Sequence, residues 1–226
     1  NITHIIRGED HITNSGIQLE IFNALGANTP IFGHNSLLVS ENGEPFSKRN
    51  VASSIEQIRE QGIEPNALNS LIASIGSSVD IQIFKSIDDI AKYFEITSLG
   101  KAPARYDKNQ LVRLNSQLIS SYSSEEISKI ISNNTGDFSE EFWDCIKQNI
   151  SEISEINIWL KIINEPINHN LDIDKNYLNI AQDVLPMEPW DKKTWDEWIE
   201  MLKDKTQKRG KELFMPIRAA ITGQTN

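Results

Sequence analysis

The sequence predicts a mostly α-helical protein that opens on one short strand–turn–helix unit. Three observations carry this. Apolar residues recur at helical spacing almost everywhere after residue 51, capping residues and glycines punctuate those runs, and strand-like Ile-rich segments are confined to the start. At 226 residues the chain exceeds one small domain and can bury two or three modest cores. The single cysteine, Cys145, excludes an internal disulfide and suits the cytosol. The longest apolar runs, such as 69–75, fall far short of the roughly 20 residues a membrane span requires, so the expected protein is soluble and has no membrane partner. A net charge of −10 argues against a generic nucleic-acid binder, because phosphate contacts need Lys and Arg, but leaves a local basic face open.

ITHIIRG reads as a buried strand that delivers Arg7 and the following GEDH to its carboxyl end. Polar residues at such an edge usually face a crevice. Ile17, Ile21, Phe22 and Leu25 then repeat at helical spacing, with Gly26 placed for a left-handed cap. Next, Asn42-Gly43 marks a tight hairpin, and SKR follows it directly. Val51, Ile55 and Ile58 form a helix ended by Gly62; Leu68, Leu71, Ile72 and Ile75 form one ended by Gly76. Ser86 and Asp107 read as N-caps, the latter of a helix bearing Leu111, Leu114 and Leu118. Ser123-x-x-Glu126 is a capping box inside a serine-rich stretch that reads as a domain boundary. Four or five helices follow, punctuated by prolines that include Pro166, Pro186, Pro189 and Pro216.

Among chemically capable residues, Arg7 beside Glu9, Asp10 and His11 suits a two-pronged grip on a substrate carboxylate, with the acids accepting from an amine or a ribose hydroxyl. A structural ion pair at the sheet edge would use the same residues. His4, His11 and His34 match no zinc spacing, and no protein-held metal is expected. There is no nucleophile elbow, P-loop or Gly-x-Gly-x-x-Gly. In Ser47, Lys48 and Arg49 a mobile cation and loop amides could hold phosphate oxygens as pyrophosphate leaves. Basic clusters at Lys101, Arg105, Lys108 and Arg113, and at Lys203, Lys205, Lys208, Arg209 and Lys211, read either as solvated helix faces or as phosphate-binding surface. Trp190, Trp195 and Trp198 lie at spacings that favour packing over base stacking.

The order IIRGEDHITNSGIQ, FGHNSLL, an Asn-Gly hairpin, PFSKRN, SLGKAPARYDKNQLVRLN and ELFMPIRAAITG resembles bacterial glutamyl-tRNA synthetases across essentially the whole chain. The resemblance implies the end of a Rossmann-like class I catalytic domain at 1–50, a helical stem-contact region at 51–123 and an all-helical anticodon-binding domain at 124–226. It implies that Arg7 binds glutamate and that Asp10, Leu37 or Leu38, Ser47 and Lys48 meet ATP, with Lys48 as the catalytic signature-loop lysine. Lys101, Arg105, Lys108, Lys208 and Arg209 become candidate tRNA contacts. ATP as co-substrate, Mg2+ arriving with the nucleotide, L-glutamate, glutamate tRNA and, where discrimination is relaxed, glutamine tRNA are the implied ligands of a cytoplasmic, monomeric ligase. Glutaminyl-tRNA synthetases fit less well, since their anticodon domain is of β-barrel type and this C-terminal half reads as helical.

Two departures from the family pattern matter. The first signature-loop lysine should fall at residue 45, where this chain has Pro45. The family's N-terminal region, with its HIGH signature, precedes the point of resemblance at which the sequence begins, so the expectation is a fragment with little charging activity alone. A non-catalytic tRNA-binding module descended from a synthetase is the alternative.

Overall fold

The computed structural model describes residues 2–46, 54–131, 138–165 and 174–224. Ser47, Lys48 and Arg49 of the expected phosphate loop, Val51 of the first expected helix and Pro166 lie outside the described residues. The chain divides into two compact units, Asn1–Ile156 and Asn157–Asn226, and it is mostly helical.

In the first unit, β1 (His4–Gly8) and β2 (Ile31–Asn35) pair in parallel, with Arg7 opposite His34 and Gly8 opposite Asn35. The crossover between them is α1 (Ile12–Ala24), as parallel pairing requires. Gly26 adopts φ +62° and ends that helix as its position predicts. The helix differs from expectation in what it covers: Ile17, Ile21 and Leu25 are exposed, and its one buried residue is Ser15. Ser15 takes the inner position, where it hydrogen-bonds with Arg7 and lies 2.7 Å from His34 Nε2.

β3 (Leu38–Ser40) leads into a turn in which Gly43 N–H donates to Ser40 O at 2.8 Å with Gly43 at φ +83°. This is a three-residue loop with Gly43 in the left-handed position, so Asn42-Gly43 marks the turn one residue later than a two-residue hairpin would place it. Pro45 returns antiparallel to Val39. On its other edge β3 pairs in parallel with β4 (Ala104–Tyr106), a three-residue strand that the sequence pattern does not announce.

Helices fill the remainder of this unit: α2 (Ile55–Glu60), α3 (Pro65–Ser74), α4 (Ile87–Tyr93), α5 (Lys108–Ser121), α6 (Ser124–Ile130) and α7 (Glu140–Ile146). Their starts follow the expected chemistry. Ser86 Oγ accepts from Asp89 N–H at 3.2 Å, Asp107 Oδ1 from Asn109 N–H at 2.7 Å, and Ser123 with Glu126 forms a complete capping box. The Lys85 ammonium, 2.8 Å from Glu126, holds that carboxyl below its usual range, with help from the Ser123 backbone N–H. Leu71, Leu111 and Leu118 form the centre of a core with Ile58, Ile63 and Ala67. Residue 123, expected as a domain boundary, lies inside this unit: Trp143 Nε1–H donates to Tyr122 O at 2.8 Å, and Asn115 Nδ2 donates to Ser151 O at 2.7 Å.

A further helix, α8 (Ile156–Asn164), begins at the last residue of the first unit. The second unit contains α9 (Lys175–Asp183), α10 (Thr194–Thr206) and α11 (Lys211–Thr222), with no strand among its described residues. Tyr177, Leu202, Leu213 and Ile217 form its core. Pro216, read as punctuation, instead sits inside α11. Burial of Leu213 and Ile217 on either side holds the helix through the lost N–H. Trp198 packs against that core and donates Nε1–H to Ala181 O at 2.7 Å, whereas Trp190 and Trp195 stay exposed.

Candidate functional site

The carboxyl ends of β1 and β2 lie side by side, so the residues that follow both strands converge on one edge. Arg7 is half-buried there. Its guanidinium lies over the Phe32 ring, 5.0 Å from the centroid, and Nη2 donates to Ser15 Oγ. Ser15 donates its own hydroxyl to His11 O at 3.0 Å, as an intrahelical bond from α1, and His34 Nε2 lies 2.7 Å from the same oxygen. With the serine hydrogen committed to the carbonyl, His34 Nε2–H is the donor in that contact. One serine oxygen therefore fixes both Arg7 and His34. Arg7 Nε is buried without a partner among the described residues.

Gly8 organises the next residues. A Cβ there would lie 2.5 Å from Asp10 Oδ1 and 3.5 Å from Leu37 Cδ2, so the aspartate and the leucine flank the glycine closely. Glu9 Oε1 accepts from Leu37 N–H at 3.4 Å, and Leu37 O accepts from Ala104 N–H at 2.9 Å. Among the expected ATP residues, Asp10 and Leu37 flank Gly8, the residue after Arg7; Leu38 is exposed within β3, while Ser47 and Lys48 lie outside the described residues. Sequence reasoning missed Ser15, and it considered His34 only as a metal ligand. The available signal was a small polar residue at 15 where an amphipathic helix should place apolar bulk against a strand. No group of three metal-ligating side chains comes together among the described residues.

The basic candidates separate by environment. Lys101, Arg105 and Lys108 are exposed, the last at the start of α5. Arg113 is 3.6 Å from Asp107. Arg105 borders a cleft of ≈ 530 Å³ rimmed by Ser77, Ser78, Ser98 and Gln110. In the second unit Lys208 is drawn inward, with its ammonium 4.5 Å from the Tyr177 ring centroid and 3.9 Å from Asp174. Arg209 is exposed at a cleft of ≈ 400 Å³ shared with Lys203 and Phe214.

The family described as tRNA synthetases class I (E and Q), catalytic domain, matches residues 1–113. The chain is 41% identical over 228 residues to glutamate–tRNA ligase 1 of Chelativorans sp. (strain BNC1), covering 99% of this chain and 50% of that protein. It is 37% identical over 230 residues to glutamate–tRNA ligase 1 of Brucella ovis, covering 100% and 50%. Among solved structures, the glutamate tRNA ligase of Elizabethkingia meningosepticum in complex with its amino acid aligns with a TM-score of 0.68 at 22% identity, covering 100% of this chain and 52% of that one. The glutamate-tRNA synthetase of Elizabethkingia anophelis gives 0.67 at 20%, with coverage of 100% and 52%. The chain spans about half the length of the relatives it matches.

Proposed function

We propose, from the premise that this chain belongs to the class I tRNA synthetase family for glutamate and glutamine, that it is the C-terminal portion of a glutamate–tRNA ligase. The whole enzyme would activate L-glutamate with ATP and pass the glutamyl group to the 3′ end of tRNA. In the first step a glutamate carboxylate oxygen attacks the α-phosphorus of ATP, and pyrophosphate leaves with the electrons of the broken P–O bond. In the second, a terminal ribose hydroxyl of the tRNA attacks the glutamyl carbonyl and AMP departs.

Support for this reading comes from the carboxyl edge of β1 and β2, where Arg7 lies near the end of β1 and Asp10 and Leu37 flank the next residue, Gly8. Arg7, steadied by Ser15, would grip the substrate carboxylate; Asp10 would accept hydrogen bonds from ATP, with Leu37 or Leu38 against its adenine. Lys48, with Ser47, would steady the phosphates as pyrophosphate departs. Mg2+ would travel with the nucleotide. The second unit, which has no strand among its described residues, favours glutamate over glutamine as the enzyme's amino acid. A cytoplasmic monomer that presents Lys101, Lys108 and Arg209, with Arg105 and Lys208 nearby, to tRNA completes the proposal; glutamine tRNA is a second candidate substrate.

A binding titration of this chain with glutamate tRNA at several salt concentrations tests the tRNA assignment. The logarithm of the affinity should fall linearly with the logarithm of salt, and neutralising Lys101, Lys108 and Arg209 together should flatten the slope by roughly one per cation removed. A salt-independent affinity, or a slope untouched by the triple variant, would contradict this assignment.

A further inference from the structure

We infer that Arg105 supplies, from the adjoining strand, the phosphate contact that Pro45 cannot make. The inference rests on the reading that this hairpin serves the ATP phosphates, where a relative's signature loop would place a lysine at residue 45.

Sheet geometry carries the argument. Pro45 is bridged antiparallel to Val39, and Val39 is the parallel partner of Arg105, so residues 45, 39 and 105 form one row across three chain segments. Laterally paired residues project to the same face of a sheet, and adjacent segments lie about 4.8 Å apart. Positions 45 and 105 are therefore roughly 10 Å apart on a common face, a gap that one long arginine side chain largely spans. The alternate residues occupy the opposite face. Phe46 and Tyr106 meet there edge to face with ring centroids 5.8 Å apart, Ala104 is buried there against Gly76, and Tyr106 packs onto the helical core. Val39, between Pro45 and Arg105 in the row, is buried, whereas Arg105 itself is exposed.

Its head lies at the hairpin. Arg105 Nη2 is 4.0 Å from where a Cβ on Gly43 would stand, which places the guanidinium beside the turn that leads to Pro45. Arg105 is exposed and forms no ion pair with any described acid; the neighbouring Asp107 is taken by Arg113. Glu44 belongs to the opposite row, because its carbonyl accepts from Ser40 N–H at 2.8 Å. A guanidinium suits the task, since it stays charged and binds phosphate oxygens through two parallel N–H groups, as a lysine cannot. Arg105, first noticed as part of a basic cluster, becomes a nucleotide-binding residue.

Calorimetric titration with inorganic pyrophosphate tests this on the chain itself, comparing the parent, Arg105→Gln, Pro45→Lys and the double variant. Each is checked for an unchanged helical circular-dichroism signal. Arg105→Gln should weaken pyrophosphate binding roughly tenfold. Pro45→Lys should change the parent little yet restore affinity to Arg105→Gln, since the two cations serve one ligand and their effects are then non-additive. If Arg105→Gln loses helical signal, Arg105→Met, which keeps the apolar stem, replaces it with the same expectation. Unchanged binding by Arg105→Gln, or equal gains from Pro45→Lys in both backgrounds, overturns the role of Arg105 and leaves the ligase reading standing. Binding by Pro45→Lys but not by the parent does the same. Absence of binding in all four proteins overturns the phosphate reading of the hairpin, and the inference with it.

Discussion

Asn115→Ala should destabilise the Asn1–Ile156 unit by about 3–5 kcal/mol, read as a shift of the urea midpoint. Asn115 is completely buried on α5, and both ends of its amide are in use. Oδ1 accepts from Glu64 N–H at 2.8 Å, while Nδ2 donates to Gly62 O at 3.2 Å and to Ser151 O at 2.7 Å. One side chain therefore fastens the α2–α3 connection and a segment beyond α7 to the central helix. Alanine leaves one backbone donor and two carbonyls without their partners in a part-buried site, and each unsatisfied buried group costs about 1–3 kcal/mol. The turn cannot move away easily, because Gly62 is at φ +69° and lies against Glu152. Asn115→Asp sharpens the test. It keeps the acceptor for Glu64 but aims an oxygen at two carbonyls, so it should be no more stable than Asn115→Ala near neutral pH. A loss below about 1 kcal/mol in either variant would show that this network contributes little.

Trp143→Ala should cost about 3–5 kcal/mol through the cavity it leaves. The indole on α7 is 1% exposed and is among the largest fully buried side chains. Its ring lies 6.0 Å from that of Phe138, and Nε1–H donates to Tyr122 O at 2.8 Å, in the connection between α5 and α6. Trp143→Phe separates the contributions: most of the apolar contact survives, so the loss should fall to about 1–2 kcal/mol for the missing hydrogen bond and the smaller ring. Equal losses from phenylalanine and alanine would mean that the hydrogen bond, rather than cavity formation, dominates. Both variants bear on the same structural point, because Trp143 and Asn115 each tie residues before position 123 to residues after it.

That coupling explains which features were legible in the sequence. Local chemistry was: Ser86, Asp107 and Ser123 cap helices, and Gly26, Gly62 and Gly76 end them in the left-handed region, since each depends on residues within one turn. Non-local pairing was not. β4 is three residues long and pairs with β3 across more than sixty positions of chain, too short to show an alternating pattern. The serine-rich stretch near 123 has the composition of a linker, yet Trp143 and Asn115 override it. In the candidate site, Arg7 and Asp10 stood out as charges at a strand end, whereas Ser15 did not, because its role comes from the side of α1 that meets the strands. Pro45 was visible as a departure; the alignment of Arg105 with it emerges only once β3 and β4 are paired.

The central claim, that this chain belongs to a glutamate–tRNA ligase and retains its tRNA-recognising part, is tested most directly by competition binding. Glutamate tRNA, glutamine tRNA and an unrelated tRNA would be titrated against the chain at one moderate salt concentration, where the phosphate backbone attracts all three alike and any difference reports recognition. The account predicts saturable binding to glutamate tRNA, alone or with glutamine tRNA, at an affinity at least tenfold above the unrelated tRNA, a gap of about 1.4 kcal/mol. Equal binding to all three would contradict it.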